Sequence, residues 1–405
     1  MTNKISTDKN KIKEVLTRGV ENIYPSKNSL EKALSSGKKI RLYCGFDPSA
    51  SSLHIGNAIQ INKLAQFQNL GHEVVFLIGD FTGMIGDPTD KKAVRKKLSR
   101  EDVLKNCKNY QKQASAYLNF KGDNPAKVMY NSEWSDKLNF KDLIEISANF
   151  TVQQMIQRDM FQKRIKDEKP IHLHEFLYPL AQAYDSVAMN IDLEVGGNDQ
   201  MFNMMCGRNL VKNILHKEKF VLTSKLLADD QGKKMGKSEG NVVNLDASYE
   251  NMYGQVMSWP DGVIYAGFEL CTNISLLELK EIEEKIKDNK TNPRDLKMKL
   301  AFEITKINHG EENAKIAQEQ FIQTFQKKQN PDEIKSFKIN IKSINIVDLL
   351  VQVNFAKSKG EARRLIMQNG IKVDDKKISD IAEKIEIGKS GVLLQKGKRN
   401  FIRIN

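Results

Sequence analysis

The stretch KKIRLYCGFDPSASSLHIGN, residues 38–57, decides how the chain is read. Its first half, roughly residues 39–44, is a short apolar run leading into a Gly-Phe-Asp-Pro turn, the pattern of a buried strand. From Asn57 to Leu70 apolar side chains recur at helical spacing (Ile59, Leu64, Phe67, Leu70), and Gly71 stops the run. EVVFLIG, residues 73–79, reads as a second buried strand. Strand, turn, helix and strand in succession predict a parallel α/β sheet. At the helix start, His54 and Gly56 admit two readings. Free N–H groups and a partial positive charge suit a phosphate, and a residue without a side chain lets a flat base approach the backbone. Alternatively Asp47, Ser49 and Ser52 are turn residues and Asn57 caps the helix. On this stretch alone the two readings are level.

Outward from it, KVMYN reads as a third strand, and residues 140–190 as helices interrupted near Lys169-Pro170. IDLEVGG predicts a strand feeding a helix over 199–215, and KFVLTSKLL a strand that runs into a Gly/Lys/Ser loop at 232–240. Residues 11–36 read as helices and turns, and 246–325 as amphipathic helices. The polar segment PDEIKSFKINIKSIN suggests a linker over 329–341, and the last 64 residues form a compact α+β pattern.

Net charge is +13, and residues 342–405 hold 14 Lys and Arg against 7 Asp and Glu, half of the whole excess. An anionic partner is expected, with the C-terminal end the better nucleic-acid candidate. Cys44, Cys107, Cys206 and Cys271 lie far apart, without a CxxC pair or a disulfide framework. The polar N-terminus is no secretory signal, and no apolar run reaches membrane-span length, so a cytoplasmic protein is expected.

Three further stretches join the first. Lys233, Lys234, Met235, Gly236, Lys237 and Ser238 stand between glycines after a strand; such a basic loop suits a triphosphate, whereas GxxxxGK[ST] is absent. Tyr178, Gln182 and Asp185 in FLYPLAQAYD share one helix face, suited to an ammonium group and a hydroxyl, or merely to water. EVGGNDQ carries Gly197, Asp199 and Gln200 on a strand-turn-helix junction. Each signal is modest alone; their order and spacing together are specific.

A His-x-Gly turn after the first strand and a Lys-Met-x-Lys-Ser loop after the last resemble the two signatures of class I aminoacyl-tRNA synthetases. YCGFDPSASSLHIG, FLYPLAQAYD and GGNDQ resemble the tyrosyl enzymes in particular, and FAKSKGEARRLIMQNGIKV resembles their S4-type RNA-binding domain. The resemblance covers nearly all of the chain after residue 30. It implies a Rossmann-like α/β catalytic domain over 1–245 with a helical connective insertion at about 132–190. A helical anticodon-binding-type domain over 246–328 and an S4-like domain over 342–405 would follow. It implies activation of L-tyrosine by ATP with Mg²⁺, without a protein-ligated metal, then transfer to tRNA(Tyr), by a homodimer with no membrane role.

Residue by residue, the resemblance implies that Tyr43 and Asp185 hold the phenol hydroxyl, and Tyr178, Gln182 and Asp87 the ammonium group. Asp47, Gln200 and Gly45 would line the carboxyl and ribose side. Asp199 would meet the ribose, and Ser49, His54, Gly56, Asn57 and Gly197 the rest of ATP. Lys234, Lys237 and Ser238 would stabilise departing pyrophosphate, helped by Lys91 and Arg95; Lys359, Arg363 and Arg364 would contact RNA. The chain departs from the family at Asn57, where histidine is frequent, and at Gly236, where serine is common. At Glu194 some members have glutamine. A tryptophanyl enzyme is the nearest rival, disfavoured by YCGFD and AQAYD. A non-catalytic RNA-binding protein on the same scaffold is the rival of another class.

Overall fold

The computed structural model describes residues 5–88, 98–229, 231–232, 235, 242–288, 291–325, 335–339, 343–388, 391–397 and 400–405. The chain divides into two units, Met1–Gln318 and Glu319–Asn405.

The first unit is built on six strands: β1 (Val20–Tyr24), β2 (Arg41–Phe46), β3 (Glu73–Ile78), β4 (Lys127–Tyr130), β5 (Leu193–Gly197) and β6 (Phe220–Ser224). Their order across the sheet is β1-β6-β5-β2-β3-β4. All neighbours are parallel except β1, which runs antiparallel to β6. β3 buries five of its six residues and β5 all five, as expected of strands covered on both faces. β1 departs from the helix-and-turn expectation for 11–36. Its VENIY is an edge strand, only partly buried, so no continuous apolar run announces it. The chain passes from β2 to β3 and β4 on one side and returns to β5 and β6 on the other. The order therefore switches between β2 and β5, where open α/β sheets hold ligands beyond the strands' carboxyl ends.

The helix after β2 is Ile55–Asn69, starting two residues earlier than its apolar pattern suggests. It is buried on several sides, with Gln60, Asn62 and Lys63 covered alongside Ile61, Leu64 and Phe67. Between β4 and β5 run helices Ser132–Ser135, Phe140–Ser147, Val152–Ile156, Asp159–Lys166 and His174–Ala188. Ile146, Met155, Leu180, Ala183, Cys206 and Leu210 form a core that ties the second, third and fifth of these to the helix Met201–Leu215. The helices after residue 246 belong to the same compact unit as the sheet, up to Gln318. None of the described helices is long and apolar enough to cross a membrane.

The second unit holds β7 (Lys335–Phe337), β8 (Ser343–Asn345), β9 (Ile371–Val373), β10 (Lys376–Lys377), β11 (Lys384–Glu386), β12 (Val392–Lys396) and β13 (Asn400–Ile404). Five of them form the sheet β10-β9-β12-β13-β7, and β11 pairs with β8. Helices Ile346–Gln352 and Lys359–Met367 share its core with Ile371, Leu394 and Ile404. The linker reading of 329–341 needs correction over its described residues, 335–339. β7 runs parallel to β13, the backbones of Phe337 and Ile339 both bond to that of Asn405, and Ile339 is buried in the core. Polar composition concealed the strand, because an edge strand needs few large apolar side chains.

Candidate active site

Tyr43 stands on β2, directly beside Glu194 on β5, so the two strands at the switch point place these side chains together. Tyr43 is 1% exposed, and its hydroxyl lies 3.1 Å from Ser186 Oγ. Burial and the neighbouring Glu194 and Asp185 carboxylates raise the pKa of its hydroxyl well above the usual tyrosine value, so it stays protonated.

Asp185 lies on the helix His174–Ala188 and is 2% exposed. Trp134 Nε1 donates to Oδ1 at 2.8 Å and Asn131 Nδ2 to Oδ2 at 3.3 Å. Burial raises its proton affinity well above the ordinary carboxylate, and these two donors oppose that rise. One helix turn earlier, Gln182 Nε2 donates to Glu194 Oε1 at 2.9 Å. Tyr178, buried on the same helix, donates its hydroxyl to Asp47 Oδ2 at 2.7 Å. Thr82 Oγ1 donates to Asp47 Oδ1 at 2.6 Å. Burial pushes Asp47 up to about 7, while both hydroxyl donors favour its charged form. Gly79 makes this packing possible: a Cβ there would come within 2.0 Å of Asp47 Oδ1.

On the adjoining wall, Gln200 Nε2 donates to Asp87 Oδ2 at 2.6 Å and Gln200 Oε1 accepts from Asn203 at 2.8 Å. Gly197 ends β5, and Asp199 and Gln200 form the short 3₁₀ turn Asn198–Gln200 that precedes the helix. Gly45 is exposed at the end of β2, where a Cβ would meet only Leu77 at 3.7 Å, so the fold itself does not demand glycine there. Ser49 is exposed in the turn after Asp47, whose carbonyl its N–H reaches at 2.8 Å.

At the helix start, His54 is the cap. Its Nδ1 accepts from the N–H of Gly56 at 3.1 Å, and Asn57 Oδ1 accepts from the N–H of His54 at 3.0 Å. The capping reading of Asn57 therefore holds for its carbonyl oxygen. Because Nδ1 accepts, the neutral His54 ring carries its proton on Nε2, a donor suited to a phosphate oxygen. Ile55 N–H bonds to the Val243 carbonyl at 2.9 Å, Leu245 N–H to the Leu53 carbonyl at 2.9 Å, and Met235 N–H to the Leu227 carbonyl at 2.8 Å. The described residues flanking the Lys-Met-Gly-Lys-Ser loop are thus fastened, on its far side, to the His-Gly turn itself. Lys91, Arg95, Lys234, Lys237 and Ser238 lie outside the described residues.

In the second unit, Arg363 and Arg364 are exposed on the helix Lys359–Met367, opposite buried Ala362 and Ile366. Lys359 is exposed and paired with Asp348 at 2.7 Å.

Sequence reasoning passed over Thr82, Asn131, Trp134, Gly79 and Lys219. Asn131 and Gly79 immediately follow β4 and β3, so the rule that ligands gather at carboxyl ends of parallel strands was the available signal.

Residues 35–326 match the family model described as tRNA synthetases class I (W and Y), and residues 326–404 that of the tyrosine–tRNA ligase SYY-like C-terminal domain. A tyrosine–tRNA ligase of Thermotoga maritima is 44% identical over 393 residues, covering 97% of this chain and 96% of that relative. A tyrosine–tRNA ligase 2 of Clostridium acetobutylicum is 40% identical over 395 residues, covering 96% and 97%. Among solved structures, a C-terminally truncated mitochondrial tyrosyl-tRNA synthetase of Aspergillus nidulans superposes with TM-score 0.64 at 21% identity, over 78% of this chain and 94% of that one. A tyrosyl-tRNA synthetase of Archaeoglobus fulgidus complexed with L-tyrosine gives TM-score 0.60 at 20% identity, over 77% and 100%. At these identities the structural matches speak for the fold alone.

Proposed function

This chain belongs to the tyrosine–tRNA ligase family of class I aminoacyl-tRNA synthetases, and from that premise we propose how its residues divide the work of charging tRNA with tyrosine. The observation that carries the division is the ring of polar groups at the β2/β5 switch point. Tyr43, Asp47, Tyr178, Gln182 and Asp185 are all wholly or partly buried, and each is hydrogen-bonded to a named partner.

Tyr43 and Asp185 take the phenol hydroxyl of the substrate. Tyr178, Gln182 and Asp87 take its ammonium group, and Asp47, Gln200 and Gly45 the carboxyl and ribose side. Phenylalanine brings no hydroxyl to Tyr43 and Asp185, so a desolvated polar site forfeits the substrate's hydrogen bonds, the kind of penalty that discriminates strongly; tyrosyl enzymes are themselves the standard illustration of that rule. ATP enters as its Mg²⁺ complex. His54 Nε2, Ser49, Asn57 and Gly56, which has no side chain to hold a base away, meet phosphate and adenine, and Asp199 and Gly197 the ribose.

The substrate carboxylate is already a nucleophile, so no protein base is required. One carboxylate oxygen attacks the α-phosphorus, the bond to the β-phosphate's bridging oxygen breaks, and pyrophosphate departs with the electron pair. What the site supplies is alignment and cationic stabilisation of the charge developing on the leaving group. Lys234, Lys237, Ser238, Lys91 and Arg95 take that role. The tRNA's terminal ribose hydroxyl then attacks the acyl carbon, and AMP leaves. Lys359, Arg363 and Arg364, on an S4-like C-terminal unit, contact the tRNA backbone.

A cytoplasmic homodimer fits this reading. Phe140, Ile144, Val152 and Leu173 are large apolar residues exposed on the helical insertion, a face suited to a second copy. Sedimentation at micromolar concentration tests the dimer. Lys237→Ala tests the leaving-group role: the rate of adenylate formation falls by about 10²-fold or more while tyrosine binding changes little, because the contact strengthens only in the transition state. Equal losses in both would refute that role.

A further inference from the structure

Behind the tyrosine pocket lies a buried ion pair that the reaction chemistry does not itself require. Lys219, immediately before β6, is 0% exposed and pairs with Glu194 Oε2. Glu194 Oε1 accepts from Gln182 Nε2 at 2.9 Å, and Oε2 from Ser186 Oγ at 3.4 Å. Ser186 in turn lies 3.1 Å from the Tyr43 hydroxyl. One carboxylate therefore touches the support of both ends of the pocket. The helix Met201–Leu215 is shaped to admit the cluster: a Cβ at Gly207 would come within 2.5 Å of Lys219 Nζ, 3.1 Å of Ser186 Oγ and 3.2 Å of Glu194 Oε2.

A buried ion pair is seldom a net source of stability, because desolvating two charges offsets most of their attraction. Its geometry here fixes something else. The two ends of a glutamine amide are nearly the same shape but opposite in function, one donating and one accepting. A carboxylate paired with an ammonium only accepts, so it takes the NH₂ end of Gln182 and leaves the carbonyl end for the pocket. A carbonyl can receive an N–H from a substrate ammonium; an NH₂ group cannot.

We propose that Glu194, paired with Lys219 and accepting from Gln182 Nε2, is a positioning residue that sets the amide orientation of Gln182 and thereby makes it an acceptor for the substrate's ammonium group. The inference rests on the assignment of Gln182 to that group.

Two paired variants, both free of unpaired buried charge, test it. In Glu194→Gln/Lys219→Met an amide oxygen remains to accept from Gln182 Nε2. In Glu194→Ala/Lys219→Met no acceptor remains. Tyrosine-dependent ATP–pyrophosphate exchange on the purified full chain should give a tyrosine KM about tenfold or more higher in the alanine pair than in the glutamine pair, as expected for one hydrogen bond to a charged group. The ATP KM should be the same in both. Gln182→Ala is the control for the underlying assignment. If Gln182→Ala raises the tyrosine KM but the two pairs are indistinguishable, the positioning role is overturned. If Gln182→Ala leaves that KM unchanged, the pocket assignment falls and the inference with it. A shift of ATP KM equal to that of tyrosine KM in the alanine pair would also overturn it, as a general loss of structure.

Discussion

Asp47 is the residue where burial and hydrogen bonding oppose each other most openly. Burial brings it up to about 7, and Thr82 and Tyr178 hold that rise in check by donating to its charged form. Thr82→Val removes one donor without touching substrate. The ionised form then loses support, the free-enzyme value rises, and the acid limb of kcat/KM for adenylate formation moves to higher pH by about one unit. An unchanged pH profile would show that Asp47 does not govern that limb. Trp134→Phe acts in the same sense on Asp185, whose Oδ1 loses its indole donor. Tyrosine KM should rise by about tenfold with ATP KM unaltered; an unaltered tyrosine KM would remove Trp134 from the pocket's support. At this scale the sequence motifs pick out the groups proposed to face the substrate, because Tyr178, Gln182 and Asp185 share a helix face by periodicity alone. They are silent on Trp134, Thr82 and Lys219, whose partners lie 51, 35 and 25 residues away and are brought near only by the sheet.

The helix Ile55–Asn69 and the strand β7 carry the lesson for elements. Asn57, read as either a cap or an ATP contact, caps His54 through its oxygen, and His54 caps Gly56 through Nδ1. Asn57→Ala should lower stability by about 1 kcal/mol in chemical denaturation, the usual value of such a cap, and raise ATP KM because the His54 ring is less firmly held. Retained stability and ATP KM would deny the capping box any role. The buried strands β2, β3 and β5 were legible as apolar runs. β1 and β7 were not, because edge strands are short and only one face must be apolar. β7 yields its own prediction. A fragment 326–405 should unfold at a clearly higher temperature than 342–405, which lacks the β13 partner and Ile339. Equal melting temperatures would deny β7 and Ile339 any part in holding that unit together.

For the whole molecule, the division of charge matches the division of labour. In the proposed division of labour, the basic excess concentrated in residues 342–405 serves binding of a polyanion and the switch point of the first unit serves chemistry. Removing residues 326–405 should therefore leave pyrophosphate exchange intact while weakening tRNA charging and flattening the salt dependence of tRNA binding. In the proposed reading, the polar ring at the β2/β5 switch point selects tyrosine and lets the substrate's own carboxylate attack ATP. ATP–pyrophosphate exchange with tyrosine, phenylalanine and tryptophan in parallel tests it most directly. Rapid exchange with tyrosine is expected and, at equal concentration, exchange lower by orders of magnitude with the other two. Comparable exchange with tryptophan or phenylalanine, or none with tyrosine, would contradict it.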